Sequence, residues 1–453
     1  MYKSSLALAV ALGVLAQQAG AAGFVEDSKL SLSSRTMYYD NDNREAHASS
    51  STNFKRPDQR ETGQGFKLDY ISGFTEGTVG FGVDAQAVWG IHLDGGRGYH
   101  KSGFMPDASN GSSVNQWARF GANAKARFSK TEAHFGSALA PNLPILVAND
   151  GRVLPQTFEG GTITSKEIDN LTINAGQLTH AMGRASSNRT GLSVSGSGAY
   201  NDSNKFRYGG LDYKLTPDLT LQYYYSNLED FYKQHFLGAT HVFKIADDQS
   251  FKTDLRYFDS SSDGKNGDGG GYNFGNNGGY AKNPGEVDNK TWSAMFTYTL
   301  GGHSLMLGHQ QVSDDGGFVW LNQGNVRKDG LNSASEGAGG ASFYLFTDSM
   351  INQFARAGTN TTFGQYSYDF ARVGVPGLKA SVAYLRGTDI RNESGHGTYS
   401  EWERDARIDY VIQEGTFKGL GASLRHGIYR GEGESPADQD QTRLIVNYTY
   451  NFM

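Results

Sequence analysis

Apolar and polar residues alternate along most of this chain. From Val79 the odd positions are Val79, Phe81, Val83, Ala85, Ala87, Trp89, Ile91 and Leu93, all apolar, with Gly80, Gly82, Asp84, Gln86, Val88, Gly90 and His92 between them. Phe120, Ala122, Ala124, Ala126 and Phe128 repeat the pattern around Asn123, Lys125 and Arg127, just after Arg119. It returns in Trp292–Leu300, Tyr366–Phe370, Leu378–Tyr384, Ala406–Ile412, Leu420–Ile428 and Leu444–Phe452. Successive side chains of a strand face opposite sides, so this period of two reports a sheet between two unlike environments.

Strand length narrows the choice. Soluble sandwich strands usually have about five or six residues. Runs of about nine to fifteen suit a tilted membrane strand, which needs roughly nine to eleven. A sheet in lipid must close, because an open edge leaves backbone groups unsatisfied. The pattern therefore predicts an all-β fold, a closed antiparallel transmembrane barrel with an apolar exterior and a polar lumen. A β-helix would carry a short strict repeat or a calcium-binding signature, and neither is found.

Connections alternate too. Thr216-Pro217-Asp218, Gly301-Gly302 and Gly374-Val375-Pro376-Gly377 read as short turns; Asp40–Gly65, Gly95–Gln116, Asp259–Asn289, Ser313–Ala341 and Gly387–Glu403 read as long polar loops. Short turns on one rim and long loops on the other are the outer-membrane pattern. The Gly- and Asn-rich Asp259–Asn289 is expected to be a mobile outer loop that buries no core. At roughly 20–27 residues per strand and connection, the length suggests about 16 to 20 strands, an even number.

The N-terminus fits export. Lys3 precedes the apolar stretch Leu6–Leu15, and small residues at 19–22 offer a cleavage site, so residues 1–22 read as a signal peptide and 23–453 as the barrel. The alternative, a buried N-terminal helix, suits so short a run less well. There is no apolar run of about 18 residues, which argues against a helical membrane protein. The chain has no Cys, which excludes disulfides and thiolate chemistry and fits a bacterial envelope. A formal charge of −6 argues against a nucleic-acid partner.

Familiar catalytic motifs are missing: there is no HExxH, GxSxG, Walker loop or complete GxGxxG. The 11 His are scattered. Neither an enzyme, a cofactor nor a metal is expected. Parity is more informative. If even positions face lipid in the last strands, Arg407, Arg425 and Arg443 face inward; the same logic turns Arg119, Lys125 and Arg127 inward. A charge in lipid costs about 2–4 kcal/mol at mid-depth. These cations either form a track for anionic solutes or balance lumenal acids such as Asp405 and Asp409. Leu139–Thr157 carries Pro141, Pro144 and Pro155 with Leu143, Ile145, Leu146 and Val147. So apolar a segment is expected to fold into the lumen and present Asn149, Asp150 and Arg152 to the pore. Its prolines disfavour a further strand.

Longer matches run through the chain: Gly23-Phe24-Val25-Glu26-Asp27-Ser28 and Arg35, Glu76–Asp84, Ser129-Lys130-Thr131, Leu154-Pro155-Gln156-Thr157, Leu228-Glu229-Asp230-Phe231-Tyr232, Gly374–Leu378, Tyr410–Gln413 and Arg443–Val446. Together they resemble the OprD family of substrate-specific outer-membrane porins. The resemblance implies a monomeric barrel of 18 strands, an inward-folded third loop and a lumenal ladder of basic side chains opposite an acidic or polar pocket. On it, Arg425 and Arg443 match ladder positions and Arg152 a basic residue of the constriction. Ser423 replaces a ladder Arg, and Asp409 falls where the basic-amino-acid member has Lys. Ile351 and Gln353 replace Tyr and Asp of the acidic pocket, while Asp348 nearby replaces a Ser.

The expected function is passive diffusion of small carboxylate-bearing nutrients (organic acids, aromatic acids or amino acids) across the outer membrane of a Gram-negative bacterium. Arg425, Arg443, Arg407, Arg152, Arg119, Lys125, Arg127 and Asp348 are the candidate solute-contacting residues. Lipid and lipopolysaccharide are the expected surroundings. The alternative is a general, weakly selective porin.

Overall fold

A computed structural model describes residues 23–45, 58–95, 102–106, 108, 112–194, 201–269, 271–323, 342–433, 435–436 and 438–453. The segment read as a signal peptide lies outside the described residues, as does most of Ser313–Ala341. Eighteen strands form one sheet. They are β1 (Lys29–Glu45), β2 (Gln59–Ile71), β3 (Val79–Asp94), β4 (Gln116–Phe128), β5 (Thr131–Leu139), β6 (Thr157–Ser165), β7 (Leu171–Met182), β8 (Phe206–Thr216), β9 (Leu219–Leu228), β10 (Tyr232–Ala246), β11 (Gln249–Ser262), β12 (Asp288–Leu300), β13 (His303–Val312), β14 (Asn360–Asp369), β15 (Leu378–Arg391), β16 (Thr398–Val411), β17 (Gly421–Gly431) and β18 (Asp438–Asn451). Each pairs antiparallel with its neighbour in sequence, and β1 also pairs with β18, so the sheet closes.

The exterior is where alternation put it. Phe81 is 58% exposed, Phe120 61% and Phe135 71%, values that place these rings on an outer surface and not in a protein core. Trp89 and Tyr450 are exposed with them and Tyr448 partly so, while Asn123, Lys125, Ser423, Gln441 and Arg443 are buried on the inner face. The turns at 129–130, 217–218, 247–248 and 301–302 crowd one rim. The turn before β15 needs Gly377, whose φ is +89° and whose Cβ would meet the Val411 carbonyl; a left-handed backbone there favours glycine.

Three loop expectations need correction. Gly387–Glu403 is mostly strand, because β15 runs to Arg391 and β16 starts at Thr398. Asp40–Gly65 is likewise shortened by β1, which reaches Glu45, and by β2, which starts at Gln59. Above the membrane both strand faces meet water or polar loops, so hydrogen-bonded pairing continues without alternation. Asp259–Asn289 does bury a core: Phe274 and Val287 are almost fully enclosed against Phe231, Phe258 and Phe318. This cluster also takes Ile145, Leu146, Phe343 and Leu345 from inward-folded loops. It fills the lumen along β8–β11 and leaves the opposite wall open.

Candidate functional site

The connection between β5 and β6, residues 140–156, enters the lumen as expected. It contains a two-rung hairpin, Asn142–Leu143 against Leu146–Val147. Val88, the apolar exception on the inner face of β3, packs under it with Val153, Leu154, Phe104 and Met105. Its tip crosses to β1: Arg35 donates to both carboxylate oxygens of Asp150 at 2.7 and 3.1 Å and to the Arg152 carbonyl at 2.7 Å. Arg119 holds its end from β4, donating to the carbonyl oxygens of Pro155, Gly183 and Ser186. A second segment, 342–359, meets it where Asn149 donates to Ser342 Oγ at 3.0 Å.

The 342–359 segment, through Ser349 and Met350, bounds a cavity of about 270 Å³ against the wall of β14–β18. Its lining includes Lys379, Asp405, Arg407, Asp409, Arg425 and Arg443. Register explains the cluster. Arg407 lies opposite Arg425 and Arg425 opposite Arg443, so one hydrogen-bonded row carries three inward arginines on consecutive strands. Adjacent strands are about 4.7–4.9 Å apart. Arg407 pairs with Asp409 at 2.5 Å, and Arg443 donates to Gln441 Oε1 at 2.7 Å and the Met350 carbonyl at 2.5 Å. Arg425 donates through Nε to Ser423 Oγ at 3.1 Å, and its two Nη groups have no partner among the described residues. A smaller cavity of about 170 Å³, with Arg35, Lys67 and Asn447, lies against the 140–156 segment.

The other candidates are placed differently. Lys125 is buried between Asp84 and the Ser72 carbonyl, each at 2.6 Å. Arg127 is exposed near the short-turn rim over the Phe74 ring. Arg152 lies over the Tyr39 ring and donates to the Ser102 carbonyl at 2.7 Å. Asp348 sits in the second segment; burial pushes its carboxyl up to about 6, opposed by the Phe343 N–H and by Arg184 and Arg443 nearby.

Three residues that were not candidates in the sequence, Arg184, Glu401 and Glu403, help to shape this region. Arg184, after β7, donates to Asn149 Oδ1 at 3.0 Å, and burial beside Arg152 and Arg443 lowers its affinity for its proton. It lies on a loop, where alternation carries no signal. Glu401 and Glu403 fell in the expected loop Gly387–Glu403. Glu403 accepts the backbone N–H groups of Met350, Ile351 and Asn352 at 3.1, 2.9 and 2.7 Å. Glu401 takes Arg356, Asn352 and Tyr429. Together they clip the 342–359 segment to β16. The signal was the Ser400–Asp409 series, whose odd members are all charged.

A closed barrel with long loops on one rim and a lumen narrowed by two inward segments is a channel of the porin class. The chain belongs to the OprD family of outer membrane porins, whose family model matches residues 22–452. It is 31% identical to Porin D of Pseudomonas aeruginosa, across 99% of this chain and 96% of that one. It is 30% identical to the porin-like protein GalP of Pseudomonas putida, across 96% and 95%. The crystal structure of Pseudomonas aeruginosa OccK8 (OprE) matches with a TM-score of 0.82 at 45% identity, covering 95% of this chain and all of that one. That of Pseudomonas aeruginosa OpdK with vanillate matches at 0.79 and 30% identity, covering 95% and 100%. The protein is thus a substrate-specific outer-membrane porin, a channel and not an enzyme.

Proposed function

We propose that this porin passes small carboxylate-bearing solutes, and that the row Arg407–Arg425–Arg443 is where the carboxylate is held and handed on. The observation that carries the reading is the free double Nη face of Arg425 at the middle of that row, turned into the cavity. A guanidinium matches a carboxylate with two parallel N–H donors. Arg407 and Arg443 each keep a protein partner, so each offers a weaker grip on either side. A series of weak sites lets a solute enter and leave. Vanillate, in the OpdK structure, is itself an aromatic carboxylate, which supports the same substrate class.

Flux of benzoate, vanillate and small dicarboxylates into proteoliposomes tests this, together with reversal potential in a salt gradient. Arg425→Ala and Arg443→Ala should each lower carboxylate flux and weaken anion preference while the barrel assembles. Unchanged flux and selectivity in both variants would overturn the proposal.

A further inference from the structure

The outer face of β15 and β16 carries two arginines of a different kind. Leu385 is fully enclosed in the lumen and Gly387 faces Phe354 and Glu401, so Arg386 between them points outward. Glu403 and Asp405 both hold the 342–359 segment inside, so Arg404 points outward as well. Both arginines are exposed. Register makes a block of four: Tyr384 opposite Arg404, and Arg386 opposite Trp402. The two rings lie 6.2 Å apart between centroids. The arginines occupy the diagonal, where long side chains on one sheet face remain within reach of each other.

Outward residues along β15 run Leu378, Ala380, Val382, Tyr384 and Arg386. At about 3.3 Å per residue and a tilt near 40°, Arg386 stands roughly 20 Å above Leu378, close to the top of an apolar band about 25 Å tall. The ring pair marks the girdle there, and the rim above it is the long-loop, outer one. Charge at that level costs far less than at mid-depth.

The neighbouring outward cations are neutralised: Arg430 pairs with Asp440 and Asp438, and Arg44 with Asp440 and Asp42. Among the described residues neither Arg386 nor Arg404 has a hydrogen bond or an ion pair. Two unpaired guanidinium groups, beside aromatic rings at the outer lipid boundary, fit an anionic headgroup that presents several acceptor oxygens.

We infer that Tyr384, Arg386, Trp402 and Arg404 form a binding site for the phosphorylated sugar headgroup of lipopolysaccharide. The two guanidinium groups take the phosphate of lipid A in charge-assisted hydrogen bonds, and Trp402 and Tyr384 flank the sugar at the level where amphipathic rings settle. The site is on the outside of the wall and does not depend on which solute crosses the lumen.

The folded barrel in detergent, titrated with bisphosphorylated lipid A and read by native mass spectrometry, tests this. Arg386→Ala with Arg404→Ala should bind lipid A roughly tenfold more weakly than the unaltered protein. Dephosphorylated lipid A should bind both proteins alike, and millimolar inorganic phosphate should not displace lipid A. Arg386→Gln with Arg404→Gln keeps side-chain length and is read by the same criteria should the alanine pair fail to assemble. Equal binding of lipid A by the unaltered and altered barrels would overturn the site. Displacement by inorganic phosphate would overturn its assignment to the lipid.

Discussion

Glu403 holds Met350, and Met350 in turn holds Arg443. The carboxylate on β16 accepts the Met350 N–H at 3.1 Å, and the carbonyl of the same residue accepts from Arg443 on β18 at 2.5 Å. One residue of the 342–359 segment therefore links an acid and a base two strands apart. Glu403→Gln replaces one acceptor oxygen by an amide NH₂ and so breaks at least one of the three hydrogen bonds to the segment. The segment should loosen by about 1–3 kcal/mol. Single-channel traces should show greater open-channel noise, with unchanged assembly on unheated gels.

Removing the constriction from the other side gives a second expectation. Deleting Asn142–Asp150 takes out the hairpin and the Arg35–Asp150 ion pair together. Conductance should rise and discrimination among solutes should blur. Conductance equal to that of the intact channel, in a properly assembled deletion, would mean that this segment does not limit the path.

Asp348, whose carboxyl burial pushes up to about 6, should make the channel sensitive to pH in that range. Above that value its carboxylate carries a negative charge beside Arg443 and Arg184; below it the charge is lost. Anion preference should therefore increase as pH falls from about 8 to 5, and Asp348→Asn should show the acid-side selectivity throughout that range. The stability sign follows from the same shift. An unfolded Asp ionises near pH 4, so between about 4 and 6 the folded protein binds the extra proton, and stability falls as pH rises through that window. Asp348→Asn should be the more heat-resistant form at pH 8.

Charge and shape can be separated at Arg425. Arg425→Lys keeps the cation but gives up the planar pair of donors. It should retain the reversal potential while carboxylate flux falls roughly fivefold, about 1 kcal/mol. Arg425→Ala should move both quantities. A lysine variant that conducts carboxylates as well as arginine does would show that the cavity reads charge alone.

Legibility in the sequence followed the membrane. Within the lipid, Phe81, Phe120 and Val382 had to face outward, and their alternation fixed which neighbours faced inward, Arg425 and Arg443 included. Beyond the lipid that constraint lapses. Glu401 and Glu403 sit on a strand whose outward residues there are Ser400, Trp402 and Arg404, so no apolar stripe marks it. Phe274 was hidden for a related reason: a Gly- and Asn-rich segment needs a single well-placed ring to join a core supplied by others. Register, and with it the alignment of Arg407 with its two neighbours, depends on strand pairing across turns of unequal length. No single strand contains that information. The prolines of 139–157 did foretell an inward segment, but not that Arg119, read as a solute contact, would bind its backbone.

The aromatic cluster along β8–β11 makes the passage lopsided. A permeating molecule slides between a wall of paired strands, whose spacing is locked by backbone hydrogen bonds, and a surface made of loops, held by ring contacts and a few ion pairs. The first surface, which on the proposed function would set where a carboxylate rests, has little give. The second sets how wide the rest of the molecule can be, and it yields at the cost of a few side-chain contacts. If the proposed function holds, such a conduit should discriminate sharply at one end of its passenger and loosely at the other, so that solutes sharing a carboxylate but differing in their remaining bulk share the route.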